Sequence, residues 1–368
     1  MLPLLLGGGF FPMAANTTSV TVNSVKNSYV SNGVAFPGAV GDGINDDTAA
    51  ITYWLSQGGF LWFPVGTYRV TATLRFTLNG TIAFGSGCAT TSILCDDTAG
   101  NIGDVVTLTN LRGCTLSGLT VDAKAQRTAG AAIRISGGDS THTLPRFNLA
   151  LGGHTIDVDM NNQFDHVVFN DSGSYGDWDT VVGNPARQMQ WSNAASGSHA
   201  GIWFNTPNGG GQIVNPVFMT SKQLSDTPGP AVRYTASADI TLNTVKHIGM
   251  GGGFVADCTS QPSVAGDGLV TMNLCQWDST SSGGTFHGVL INLGVGVTGT
   301  LTVNMGTTWV AGATGDGVHI TGNTTPLLMG WASGSSEQNS GWGINGVSHM
   351  ALGNCVLFSG NGAGTTTG

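Results

Sequence analysis

Short apolar runs with period-two alternation recur along the chain from about Val105, in pairs separated by a polar turn and followed by a looser loop. Val105–Thr109 precedes Cys114–Val121, Gly153–Val158 precedes Asp165–Phe169, and His199–Phe204 precedes Gln212–Phe218. The pairing returns in Ala231–Tyr234 with Ile240–Asn243, Gly288–Ile291 with Leu301–Val303, and Gly317–Ile320 with Pro326–Met329. Trp342–Ile344 with Met350–Leu352 and Cys355–Phe358 closes the series. Equivalent runs lie roughly 22 to 32 residues apart, a solenoid spacing. One such unit cannot bury its apolar face alone, so units must stack and share a core. A β-sandwich would need turn signals about every 8–12 residues, and those are sparse. The pattern therefore predicts an all-β solenoid, a parallel β-helix. Roughly ten to twelve coils, about 4.8 Å apart, make a rod about 50–60 Å long.

The segment before the repeats reads differently. Gly41-Asp42-Gly43-Ile44-Asn45-Asp46-Asp47-Thr48 is a glycine turn followed by a helix start, with Asn45, Asp46 or Asp47 as the capping residue. Ala50, Ile51, Trp54 and Leu55 place an apolar stripe on one face, and Gly58-Gly59 stops the helix. Phe60–Phe63 is a short buried-strand pattern, and Pro64-Val65-Gly66-Thr67 a turn that leads into Tyr68. This order, GDGxxDDTxAI and then PxGTY, resembles the opening segment of the pectate-lyase-like superfamily. The resemblance implies a right-handed single-stranded parallel β-helix whose short N-terminal helix, near 46–57, caps the open end of the solenoid. It also implies the company of secreted polysaccharide-degrading enzymes and phage tailspikes. The expected organisation is an N-terminal arm over 1–35 and a β-helix domain over 36–368.

Composition agrees with a turn-rich β chain. Of 368 residues 58 are Gly, and only 9% are charged, against roughly a quarter in typical soluble proteins. The 21 acidic residues, of which Glu337 is the lone Glu, outnumber 12 Lys and Arg, for a net charge of −9. No basic stripe exists in the sequence, which argues against nucleic-acid binding. The six Cys (Cys88, Cys95, Cys114, Cys258, Cys275, Cys355) form no CxxC pair and read as buried thiols, with Cys88–Cys95 the favoured bridge if one forms. Met1–Met13 is apolar and uncharged, lacks the positive start of a signal peptide, and is too short and too broken by Gly and Pro to span a bilayer. It packs on its own domain or acts as a peg inserted into a partner, such as a virion socket.

The densest acidic region runs from Asp157 to Asp179. Asp157 and Asp159 are two apart on one strand and share a face. Asp177 and Asp179, with Tyr175 and Trp178 beside them, offer carboxylates for acid–base work and rings for sugar stacking. These four Asp are the candidate catalytic residues; Tyr175, Trp178, Trp203 and His166 are the candidate substrate contacts. The competing reading is Asx turns and solvated strand faces. The polygalacturonase-type motifs of the superfamily (an NTD, a DD pair followed by GHG, an RIK) and its Arg-rich calcium signature are missing. Seven of the eight His (His154, His166, His199, His247, His287, His319, His349) lie at or beside strands without ligand spacing between them, so no metal and no cofactor is expected. Trp191, Trp203, Trp277, Trp309, Trp331 and Trp342 recur through the coils, some as core and some as a possible sugar platform.

Together these features lead to the expectation of a virion spike or tailspike-like homotrimer that recognises a bacterial surface polysaccharide, with binding alone and depolymerisation both left open. It would join other virion proteins through residues 1–13. The alternatives are a secreted polysaccharide lyase or glycoside hydrolase, and a structural decoration protein without a ligand.

Overall fold

The computed structural model describes residues 21–97, 100, 102–136, 154–170, 180–184, 186–187, 189–192, 200–205, 210–214, 216–219, 229–235, 239–249, 251–257, 268–278, 284–294, 299–323, 327–346 and 350–367. Among them every strand pair is parallel except the hairpin Tyr29–Ser31 with Val34–Phe36. The chain is a parallel β-helix. Phe60–Phe63, Gly66–Val70 and Leu74–Phe76 form one coil, with one strand in each face of the rod. The third face is an eleven-stranded sheet from Leu74–Phe76 to Gly364–Thr367, which fixes a rod about 50 Å long.

The first and second faces merge into one 19-stranded sheet because some strands run around the corner between them. Thr115–Ala123, Leu301–Ala311, Leu327–Glu337 and Met350–Ser359 do so. In Thr115–Ala123 the corner falls at Gly118, whose φ of 65° lies in the left-handed region, and the register slips there between Ser117 and Leu119. Two runs were therefore legible per unit where the coil carries three strand positions. The run at Met350 and the run at Cys355 belong to one strand.

Alternation selects the inside of the rod. In Thr155–Asn161, Ile156, Val158 and Met160 are fully buried while Asp157 and Asp159 face out. Inward residues stack coil on coil: Phe76, Leu108, Ile135, Phe169, Phe204 and Tyr234 occupy successive rungs of one column. Within it the Phe169 and Phe204 rings lie 4.7 Å apart at 10°. Each such side chain contributes about 1.5–3 kcal/mol through burial, and none could do so without the coil beside it. Cys88, Cys95, Cys114 and Cys275 are free thiols, so Cys88 and Cys95 form no bridge. Burial pushes Cys95 up to about 11 and Cys275 up to about 12, which keeps these thiols protonated.

At the N-terminal end the helix Thr48–Gln57 packs on Leu74–Phe76, the end strand of the third face, with Ala50, Ile51 and Leu55 buried. Asp47 stands at the N-cap position but makes no side-chain cap. Its carboxylate instead accepts the N–H groups of Val40 (2.6 Å) and Gly41 (3.1 Å), and Asp46 accepts that of Thr48. The tyrosine turn locks onto the same loop. The Tyr68 hydroxyl donates to the Pro64 carbonyl at 2.8 Å, and the Thr67 N–H donates to the Gly41 carbonyl. Gly41 has φ 72°, and a Cβ there would lie 2.9 Å from the Tyr68 ring. The two halves of the opening motif are thus one interlocked contact. Two sequence expectations change at the ends. Val22–Ser24 of the expected arm already pairs with Phe60–Trp62, and Gly364–Thr367 adds a rung beyond the last predicted run, Cys355–Phe358.

Gly41→Ala should lower the unfolding free energy by about 1–3 kcal/mol, since Ala must take the left-handed conformation and press on Tyr68. Denaturant titration tests this, and an unchanged midpoint with an unchanged slope would contradict the interlock.

Candidate functional site

Outward positions repeat once per coil, so surface chemistry on this rod is arranged in ladders. Asp157 and Asp159 share a face as expected, and both are tied to Arg187 on the next coil. The guanidinium reaches Asp157 at 2.6 Å and Asp159 at 2.9 Å. Asn184 donates to the second Asp157 oxygen at 2.7 Å, and the Gln190 N–H donates to Asp159 at 3.0 Å. Neither carboxylate stands open for proton transfer in this arrangement. The candidates Tyr175, Trp178, Asp177 and Asp179 lie outside the described residues.

His166 is placed differently from the expectation. It is fully buried, with its ring stacked 5.8 Å from Trp191, inside the rod and away from any surface-bound sugar. Trp191, Trp277 and Trp331 are likewise core residues, while Trp309 is 48% exposed on the second face. The expected tryptophan platform is therefore not one row. His154, fully enclosed, accepts the Cys114 N–H through Nδ1, and burial pushes it down to about 4.

Trp203 faces outward on the third sheet, in a ladder that the sequence did not reveal. Arg75 pairs with Thr107, Thr107 with Arg134, Arg134 with Val168, Val168 with Trp203 and Trp203 with Arg233. Three guanidinium groups and an indole thus stand along one face of a chain with only 12 Lys and Arg. Trp203 Nε1 donates to Thr235 Oγ1 at 3.0 Å, which fixes its ring, and Arg134 bridges to Asp104 at 2.7 Å. The Nε donor of Arg233 is shielded from solvent and has no acceptor among the described residues. Successive arginines of the stripe are 59 and 99 positions apart in sequence, which hides a stripe that only the coil register assembles.

The same ladder continues through Val255 and Leu290 to His319. There His287, Asp316 and His319 converge: Asp316 and His319 are three residues apart, and His287 comes from the coil before. His319 Nδ1 lies 2.6 Å from Asp316 Oδ2, and the Asp316 N–H donates to His287 Nδ1 at 2.9 Å. The other Asp316 oxygen accepts the Trp342 N–H at 2.6 Å, and Asn345 donates to Oδ2 at 3.1 Å. Burial alone would raise the Asp316 carboxyl, but the hydrogen bonds from His319, Trp342 and Asn345 outweigh it and hold it below the usual range. Burial, then the neighbouring His319, pushes His287 down to about 4.

These bonds fix both tautomers. An ionised Asp316 requires the proton of His319 on Nδ1, leaving the Nε2 lone pair open. A backbone N–H pointing at His287 Nδ1 requires the proton of His287 on Nε2. The donor set has the right residue types for a transition metal. Yet the His287 Nδ1 lone pair is engaged by the backbone and its Nε2 carries the proton, so this geometry is organised for proton transfer and hydrogen bonding.

No family model and no curated protein sequence matches the chain. Among solved structures, the A-module of the mannuronan C-5 epimerase AlgE4 from Azotobacter vinelandii is 16% identical, over 90% of this chain and 98% of that one, at a TM-score of 0.48. The catalytic domain of a GH87 alpha-1,3-glucanase in complex with tetrasaccharides is 12% identical, over 96% and 67%, at 0.51. Tailspike protein 3 of bacteriophage CBA120 is 10% identical, over 92% and 57%, at 0.45. At such identities the likeness is one of fold.

His154 and His287 are neutral in the folded rod and titrate near 6.5 when unfolded. The unfolded chain therefore binds more protons between these values, so stability is full above pH 6.5 and falls as pH drops towards 4. His154→Gln, which keeps an acceptor for Cys114, should flatten the fall of Tm over that window. An unaltered pH slope would contradict the buried neutral imidazole.

Proposed function

We propose that this chain, a parallel β-helix of the pectate-lyase-like fold, binds a polysaccharide along its third face, as a virion-attached spike does. The observation that carries the reading is the ladder Arg75, Arg134, Trp203 and Arg233. An indole face stacks on a sugar ring and guanidinium groups hydrogen-bond hydroxyls or acidic substituents bidentately, with Arg134 two rungs, about 10 Å, from Trp203 across the buried Val168 and Arg233 one rung beyond it. The Arg233 guanidinium beside the fixed Trp203 ring adds donors to the same stretch of the face. The low-charge, Thr- and Asn-rich surface is of the same kind.

Placement on a virion rests on the opening motif and on the apolar residues 1–13, which the same proposal makes the attachment peg of a homotrimer facing a bacterial surface glycan. No helix among the described residues is long and apolar enough to cross a membrane. Asp157 and Asp159, held by Arg187, serve here as a brace between coils or as sugar hydrogen-bond acceptors.

Affinity electrophoresis against bacterial surface polysaccharides tests the reading. Trp203→Ala and Arg233→Gln should each weaken binding about tenfold, or about 1.4 kcal/mol, with Tm showing that the rod remains folded. Binding unchanged in both folded variants would move the site elsewhere. Mass determination of the full chain against one lacking residues 1–13 tests the assembly: a trimer that the shortened chain cannot place on its particle supports the spike, and a monomer indifferent to the deletion contradicts it.

A further inference from the structure

We infer that His319, Asp316 and His287 form a hydrolytic site for O-acyl esters, at the end of the third-face ladder and distinct from the glycan contacts around Trp203. Three observations lead there. First, His319 Nδ1 is held at 2.6 Å by a carboxylate that is itself fixed by the Trp342 N–H and by Asn345, so the imidazole is oriented with Nε2 as a base. Second, the neighbouring ring, 4.3 Å away between centroids, is the opposite tautomer and presents a neutral Nε2–H donor. Third, the cluster is packed too tightly to have arisen from loose side chains. A Cβ on Gly315 would lie 2.9 Å from the His287 ring, and one on Gly341 would overlap Asp316 Oδ1. With side chains 17% and 24% exposed, the two imidazoles are sheltered yet open to water.

The donor inventory selects the reaction. Glycosidic hydrolysis needs a carboxylic acid to protonate the departing oxygen, and the Asp316 carboxyl is held ionised. An ester needs only a base and an oxyanion donor. Water, the co-substrate, gives a proton to His319 Nε2 as its oxygen bonds to the acyl carbon. The carbonyl electron pair moves to oxygen, where the His287 Nε2–H hydrogen-bonds the developing charge. The tetrahedral adduct then collapses, the bond from acyl carbon to alkoxide oxygen breaks, and the proton on His319 passes to that oxygen. The products are a carboxylic acid and a free sugar hydroxyl, and His319 is restored. Asp316 is a positioning residue that holds the tautomer. His319 lies three rungs beyond Arg233, about 14 Å along the rod, so a glycan on the ladder would bring its acyl substituents to this site. Only that last step rests on the proposed glycan binding.

Acetate release from O-acetylated xylan and from a mono-O-acetylated methyl glucoside, followed by proton NMR, tests the inference with the full chain. The folded protein should release acetate from both. His319→Gln should slow release by roughly 10²-fold or more, and His287→Gln by a comparable factor. Asp316→Asn should lower kcat with KM unchanged, a split that mere loosening of the fold would not produce. No acetate release by the folded protein, or His319→Gln matching it, overturns the inference, as does solvent deuterium entering the sugar carbons without ester cleavage. The small glucoside does not need the ladder. Loss of polysaccharide binding with retained glucoside hydrolysis therefore defeats the binding proposal alone, and the reverse defeats this one alone.

Discussion

Everything in this molecule depends on keeping each coil in register with the one before it. Backbone hydrogen bonds run from rung to rung, so the inward residue of one coil must stack on the inward residue of its neighbour. Val106, Ile133, Val167 and Ile202 do so on the third face, and Leu116 on Ile156 on the first. No coil has a core of its own. A slip of one residue would turn a whole strand inside out, sending Asp157 and Asp159 inward and Ile156 and Val158 to water.

That constraint also creates the surface. Because side chains alternate, every fixed inward column implies a fixed outward one, and residues far apart in sequence are neighbours on the rod. Arg134, Trp203 and Arg233 come together in this way, as do His287 and His319, a coil apart. Glycine makes the closest approaches possible. Gly118 lets a strand turn the corner between faces, and Gly341 leaves room for the Asp316 carboxylate. The inward column supplies stability, and the outward column is free to carry chemistry.

How much was legible in the sequence follows from the same geometry. The repeated runs and the opening motif read correctly because both leave short-range signals: alternation shows within four or five residues, and Gly41, Asp47 and Tyr68 belong to one continuous motif on adjacent rungs. Of the three capping candidates Asp46 takes the Thr48 N–H, while the Asp47 carboxylate turns back to Val40 and Gly41 instead of forward into the helix. The site was poorly legible. Asp157 and Asp159 were found by proximity, but Arg187, which occupies both, lies a coil later. In the His–Asp cluster Asp316 and His319 are only three residues apart, but His287 lies a coil earlier, and spacings between histidines alone leave Asp316 out. His166 sits beside a strand like the others, and only the packing on Trp191 shows that it points inward.

The central functional claim is that the third face is the ligand-bearing surface. The most direct measurement is a crystal structure of the protein soaked with an oligosaccharide from the polysaccharide it retains best. The account predicts sugar density along the third face, with a ring stacked on Trp203 and an acceptor oxygen at the Arg233 guanidinium. Density confined to the first or second face, with Trp203 and Arg233 left bare, would contradict it.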